Sequence, residues 1–453
     1  MRTSPLFALP LVLAATTGAR AQALDGQLDS SFGSAGQRTV SFDAGNTDKD
    51  YARAIVVDAQ GRSYLVGDVD STTGRKIGIA RLLANGQVDY DYGSEGLGKV
   101  VAPSGPASIN VTSAVLDAQG YLLVAGSKQV SGADTSFLVC RFDPEGEPAN
   151  FAGGASSCVH PDFNIGGFKT DVANSILVQP DGKIVLAGYA ATDTGTTLAV
   201  VRLLADGSFD AGFGNGGKTT YTGAPFVSFD AVRIRRNPDG SFVTAGSAYD
   251  ADAAHFGVIV HIGADGVVDT TFSAGHGYAR SPSVKSEYTD VAWNAQWQQY
   301  VAIGNRMAPS SRGFTRCLLA GGGGVTCPHG IAPGYEYALS YSVTFSALLP
   351  QADGRWLVAG SHVPTQNAPS DLFVARLDPS LELDALEFAA PAGRAAHDFG
   401  SFGQQDFGHA LAFQGGRLLV AGATLYEMNT NDYDFAVAAF TLDRIFQSGM
   451  EKP

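Results

Sequence analysis

Residues 176–188 read ILVQPDGKIVLAG. A short apolar run leads into the polar turn Gln179-Pro180-Asp181-Gly182, then a second apolar run and a closing glycine, Gly188. An Asp-Gly pair supplies the positive φ that a tight antiparallel turn demands. The flanking Ile, Leu and Val favour strands, and runs this short suit strands better than helices. The stretch reads as a β-hairpin.

Six further stretches share its pattern: AIVVDAQGRSYLVG (54–67), AVLDAQGYLLVAG (114–126), IRRNPDGSFVTAG (234–246), AWNAQWQQYVAIG (292–304), LLPQADGRWLVAG (348–360) and LAFQGGRLLVAG (411–422). The closing glycines Gly67, Gly126, Gly188, Gly246, Gly304, Gly360 and Gly422 follow one another at intervals of 56 to 62 residues. A turn glycine stands six residues before each of them, except in the fifth copy, where Gln298 takes its place. After each hairpin comes a third apolar run, such as IGIARL (77–82), FLVCRF (137–142) or LFVARL (372–377). A second turn and a fourth strand follow, introduced by Phe-Gly-x-x-Gly in FGSAG (32–36) and FGNGG (213–217). Four antiparallel strands per period is the signature of a propeller blade. The expected fold is all-β: a single seven-bladed β-propeller of four-stranded antiparallel blades. The last copy stops after its third strand near Leu442, and the chain after the leader starts at Leu24 with the missing piece. Pairing that N-terminal strand with the last blade would close the ring and remove two open sheet edges.

The segment 176–217, with PDGKIVLAG (180–188), VVRLLADGSFD (200–210) and FGNGG (213–217), resembles the delta-60 repeat of bacterial exported proteins. The resemblance extends over nearly all of residues 24–442 and is weakest in the fifth copy, with its Trp293, Trp297 and Gly321–Gly324 run. It implies a propeller and no established activity.

Residues 1–21 have the form of a secretory signal peptide: Arg2, the apolar run Leu6–Ala15, and small residues for cleavage near Ala21 or Ala23. The propeller is expected over 24–442 and a C-terminal tail over 443–453. These features predict a secreted or periplasmic protein without a membrane span, and a monomer. The net charge is −14, made more negative when Arg2 and Arg20 leave with the leader. Such a surface repels phosphate backbones, which argues against nucleic acid as a partner. Only 16% of residues are charged while 45% are apolar, and 56 are glycine, as a globular chain with many tight turns requires.

The four cysteines fall in two pairs, Cys140 with Cys158 and Cys317 with Cys327. In each pair the first lies beside a third-strand arginine and the second lies across the following turn, so two disulfides within blades are expected. Zinc would have to gather ligands from two separate blades.

Features shared by all copies build blades, whereas function belongs where copies differ. By that test Arg81, Arg141, Arg202, Arg316 and Arg376, with His261 in the fourth copy, are structural. They are expected to bond turn carbonyls or carboxylates. Alternation of connections places the glycine turns on one face and the variable loops on the other. The loop face carries Asp43, Asp48, Asp50, Asp68, Asp70, Asp250, Asp252, Asp371, Asp398, Asp406, Asp432 and Asp434. Asp48, Asp70, Asp252 and Asp432 are the candidate metal ligands, and calcium is the cofactor they would suit, although no loop has EF-hand spacing. No catalytic residue can be assigned. The eight histidines stand singly, without an i,i+4 or H-x-E pattern, and no G-x-S-x-G is present. The first functional expectation is a non-catalytic binding protein that meets a protein, glycan or cell-surface component with its loop face. The alternatives are an enzyme (a lyase, or one assisted by quinone or metal) with a site in the axial channel, and a purely structural cell-surface module.

Overall fold

The computed structural model describes residues 25–45, 49–102, 107–151, 156–166, 169–281, 285–295, 298–307, 312–319, 335–336, 341–400, 405–427 and 432–442. Six blades are each built from four strands consecutive in the chain, spanning residues 51–101, 109–159, 171–221, 226–280, 286–336 and 342–397. They are called blades one to six here. The last hairpin pattern does not give another blade of this kind. Its strands Asp406–Gln414, Arg417–Glu427 and Asp432–Thr441 are joined by Gln37–Val40 from the other end of the chain. The count of seven like blades is thereby corrected to six contiguous blades and one composite closing sheet. The reason lies in the chain itself, which supplies only three strands there. The bare edge of Asp432–Thr441 is covered by Gln37–Val40 running antiparallel to it, from Gln37 opposite Ala438 to Val40 opposite Phe435.

The turn glycines behave as the hairpin pattern requires, with Gly61, Gly120, Gly182, Gly240, Gly354 and Gly416 all at positive φ. Gln298 adopts the same region, with φ of 54°, so the fifth hairpin keeps the turn and bears the strain of a side chain there. The closing glycines have a different cause. Each inner strand carries a β-bulge opposite its closing glycine. The bulge turns a carbonyl over the glycine. A Cβ on Gly188 would lie 1.9 Å from the Val172 oxygen, and one on Gly67 1.8 Å from that of Tyr51.

The core lies between sheets. One cluster joins Val185, Leu198 and Phe213 of blade three to Phe229, Phe242 and Val260 of blade four, and another joins Ile55 and Leu65 to Leu419, Phe435 and Val437 of the closing sheet. Each fully buried side chain of this size contributes about 1.5–3 kcal/mol. Charged staples reinforce the seams on the turn face. The Nε of Arg81, Arg202 and Arg376 donates to the carboxylate eight residues on, at 2.7, 2.7 and 2.8 Å. Their Nη1 reaches the neighbouring sheet, to Pro144 O (2.5 Å), Ala264 O (2.6 Å) and Asp25 Oδ2 (2.5 Å). His261 pairs with Asp269 at 3.2 Å in the same way. Arg141 instead stacks 3.7 Å from the Tyr121 ring centroid and bonds Asp117 at 3.4 Å, since Ala149 stands where the acid would be. The side chain of Arg316 lies outside the described residues.

Cys140 and Cys158 are cross-strand partners in blade two and form a disulfide. Cys327 lies outside the described residues, and so does the pairing expected of it with Cys317. Among the described residues no helix is long and apolar enough to cross a membrane.

Candidate functional site

The inner strands of the sheets pack side by side around the axis. Their bulges place one extra residue per sheet near it: Arg53, Thr112, Asn174, Val232, Thr289, Ser346 and His409. Three of these side chains bond the next sheet's backbone at the same level. Thr112 Oγ1 donates to Ala173 O at 2.7 Å and Asn174 Nδ2 to Ala231 O at 2.7 Å. At the ring seam the Nδ1–H of His409 donates to Ala52 O at 2.8 Å. Burial, and secondarily the charge of Arg53, lowers the His409 imidazole from 6.5 to about 4, so the ring is neutral.

Blades four and five break this pattern with charge. Arg235 donates to Asp290 through Nε (3.0 Å) and Nη2 (2.6 Å), and its Nη2 also reaches Leu348 O on blade six at 3.3 Å. Asp290 accepts further bonds from the N–H groups of Val291 (2.9 Å) and Leu348 (3.1 Å), and its side chain is wholly buried. Arg233 comes only to 3.8 Å of the same carboxylate. Across the ring Arg53 pairs at 3.1 Å with Asp68, which also accepts the Val111 N–H at 2.6 Å.

Beside these residues lies an axial cavity of about 370 Å³. Its charged lining residues are Arg53, Arg233, Arg235 and Arg236, and its other lining residues are apolar or serine. No lining residue is a carboxylate. A local positive field therefore sits inside a chain of net charge −14. In sequence these arginines fall within ordinary-looking strand runs. Aligning the repeats on their bulges is the signal that would have singled them out.

The acids expected on the loop face divide in two. Asp50 and Asp406, together with Asp171 from outside the expected set, serve the fold: each accepts the N–H of a phenylalanine seven or eight residues earlier, Phe42 (3.0 Å), Phe163 (2.7 Å) and Phe399 (3.0 Å). Burial raises them from 3.8 to about 7, 6 and 7. The four candidate metal ligands do not form a cluster. Asp70 pairs with Arg75 at 3.6 Å in blade one, Asp252 lies in an exposed turn of blade four, and Asp432 opens a strand of the closing sheet. Asp48 lies outside the described residues. Among the described residues no group of three or more His, Cys, Asp or Glu is placed to hold a metal ion. Two acids that the sequence reading passed over, Asp230 and Glu287, sit near the start of neighbouring inner strands. Burial raises both, and both charges act on the Tyr249 phenol.

Comparison with known proteins adds to the fold. A family of domains of unknown function, DUF5122 beta-propeller, matches residues 179–213 and 351–386. No curated protein matches the sequence. Among solved structures, a protein of unknown function from Dyadobacter fermentans shares 12% identity over 90% of this chain and 100% of its own, with a TM-score of 0.44. The polysaccharide lyase Uly1 shares 9% over 88% and 91% (TM-score 0.47), and the periplasmic gluconolactonase PpgL of Pseudomonas aeruginosa 15% over 84% and 96% (TM-score 0.44). Similarity this distant carries no inference about activity. The chain is a β-propeller, and two of its repeats are similar to the DUF5122 β-propeller family.

Proposed function

We propose that this protein is an exported binding propeller that takes a small ligand into its axial channel and performs no reaction on it. One observation carries the reading: arginines that other copies of the repeat lack line the channel, and the titratable groups beside it are occupied. Asp290 is held by one arginine and two backbone N–H groups, and neutral His409 is tied to Ala52 O. Neither is left to move a proton. Export is supported by the character of residues 1–21 and by the Cys140–Cys158 disulfide, which suits an oxidising compartment.

The test is a thermal-shift screen of the processed chain against chemically varied small molecules, repeated on Ala410→Trp, which fills the cavity from the closing sheet. A ligand at a hundredfold excess over its Kd adds about 2.7 kcal/mol. Stabilisation of the wild type that vanishes in Ala410→Trp is the expected result. A ligand that stabilises both equally binds elsewhere and removes the channel from the reading. Catalysis is the second reading, favoured by the raised carboxylates Asp230 and Glu287 around Tyr249. A screened compound consumed by the wild type but not by Asp230→Asn would put it first.

A further inference from the structure

We infer that the channel's ligand is a small organic anion, gripped through a carboxylate or phosphate by Arg233 and Arg236 of blade four, with Arg53 facing them from blade one. The inference rests on the channel-binding reading and adds the class of ligand.

The first argument comes from the repeats. The residue after the bulge is Ala54, Ser113, Ser175, Ala347 or Ala410 in five sheets and Asp290 in blade five, but Arg233 in blade four. Two positions further on, Val56, Val115, Leu177, Ala292, Leu349 and Ala412 are answered by Arg235. The next position is apolar everywhere except at Arg236. The blade can be built without any of these arginines, so its geometry does not explain them. A structural role accounts for Arg235 alone, through its two bonds to Asp290 and its bond to Leu348 O.

The second argument is electrostatic. Four arginines line the cavity, and the carboxylates paired with them, Asp68 and Asp290, are not among its lining residues. The wall thus holds an excess of two positive charges in a confined space. Arg233 Nε is buried with no hydrogen-bond partner, and its nearest acid oxygen is at 3.8 Å. A buried donor of this kind calls for an acceptor, and an oxyanion matches a guanidinium fork in both charge and plane. A cavity of about 370 Å³ on the axis, lined by the inner strands of six sheets, admits a di- or tricarboxylate or a phosphorylated small molecule.

Isothermal titration with citrate and with inorganic phosphate, at low and high salt, tests the assignment, with glucose as a neutral probe. The two anions separate a carboxylate ligand from a phosphate one. One of them should bind the wild type, more weakly as salt rises, and glucose should not bind. Arg233→Gln and Arg236→Gln should each weaken binding at least about tenfold, as loss of a charge-assisted hydrogen bond does. Arg236 is exposed, so Arg236→Gln gives a folded variant even if Arg233→Gln disturbs the Asp290 cluster. Failure of both anions to bind overturns the inference, as does affinity unchanged in a folded Arg236→Gln. A neutral ligand that Ala410→Trp blocks overturns the anion assignment and leaves the channel reading intact. A ligand indifferent to Ala410→Trp overturns the channel reading itself.

Discussion

The turn face and the axial channel use arginine in opposite ways. On the turn face Arg81, Arg202 and Arg376 recur at one place in the repeat, each with an acid eight residues on and an acceptor on the neighbouring sheet. In the channel Arg233, Arg235 and Arg236 crowd one blade and have one carboxylate, Asp290, among them. A buried charge matched by a dedicated partner holds a fold together. A charge repeated beyond its partners creates a field, and a field acts on whatever enters it. The two sets share a residue type and differ in whether each charge has its own partner.

The largest effect should come from cutting a staple. Arg376 is fully buried, and Arg376→Leu would strand Asp25 and leave Asp384 to Arg355 alone, for a loss of about 3–5 kcal/mol in urea unfolding. Arg233→Gln should cost under about 1 kcal/mol in the same assay, because it gives up a long ion pair in a partly open channel. Equal losses at the two positions would mean that the turn-face and channel arginines hold the fold alike.

A second effect depends on pH. His409 titrates near 6.5 when unfolded and about 4 when folded. Between those values the unfolded chain binds a proton that the folded chain refuses, so this stability is present above pH 6.5 and is lost as pH falls towards 4. Asp50, Asp171 and Asp406 have the opposite sign. They are raised when folded, so their contribution is greatest in acid and is lost as pH climbs from 3.8 to about 6–7. His409→Asn should preserve the bond to Ala52 O, as Asn174 makes the equivalent one to Ala231 O, while removing the histidine's acid-side loss. Denaturation midpoints at pH 7 and pH 4.5 measure this. A variant whose midpoint falls as much as the wild type's would show that the seam histidine does not titrate as described. The smallest effect concerns the one hairpin that lacks its glycine. Gln298→Gly should relieve the positive φ and raise stability by about 1 kcal/mol, and a loss instead would mean that the Gln298 Nε2 bond to Ala295 O outweighs the strain.

Much of the architecture was legible because it is written locally and repeatedly. Asp181-Gly182 makes a turn wherever it stands between apolar runs, and the Cys140–Cys158 pairing followed from the positions of the two residues around one turn. The closing glycines could be counted from sequence, but their cause could not. It is a carbonyl brought over them by a bulge in the partner strand, as Val172 O is over Gly188. The loop acids were misjudged for a related reason. Asp50 and Asp406 look like solvated loop residues until their carboxylates are found turned inward onto Phe42 N–H and Phe399 N–H.

The sequence by itself determined the hairpin, the four-strand period, the place of the chain's break and the acidic surface, since each depends on residues close together in the chain. Only the tertiary structure decided the rest. It showed that six blades are contiguous in the chain and that Arg53 and Arg233 face one cavity. It also showed that Asp290 neutralises only part of that charge. These facts come from side chains between about 50 and 400 residues apart in the chain, and strand periodicity carries no information about which of them meet across the axis.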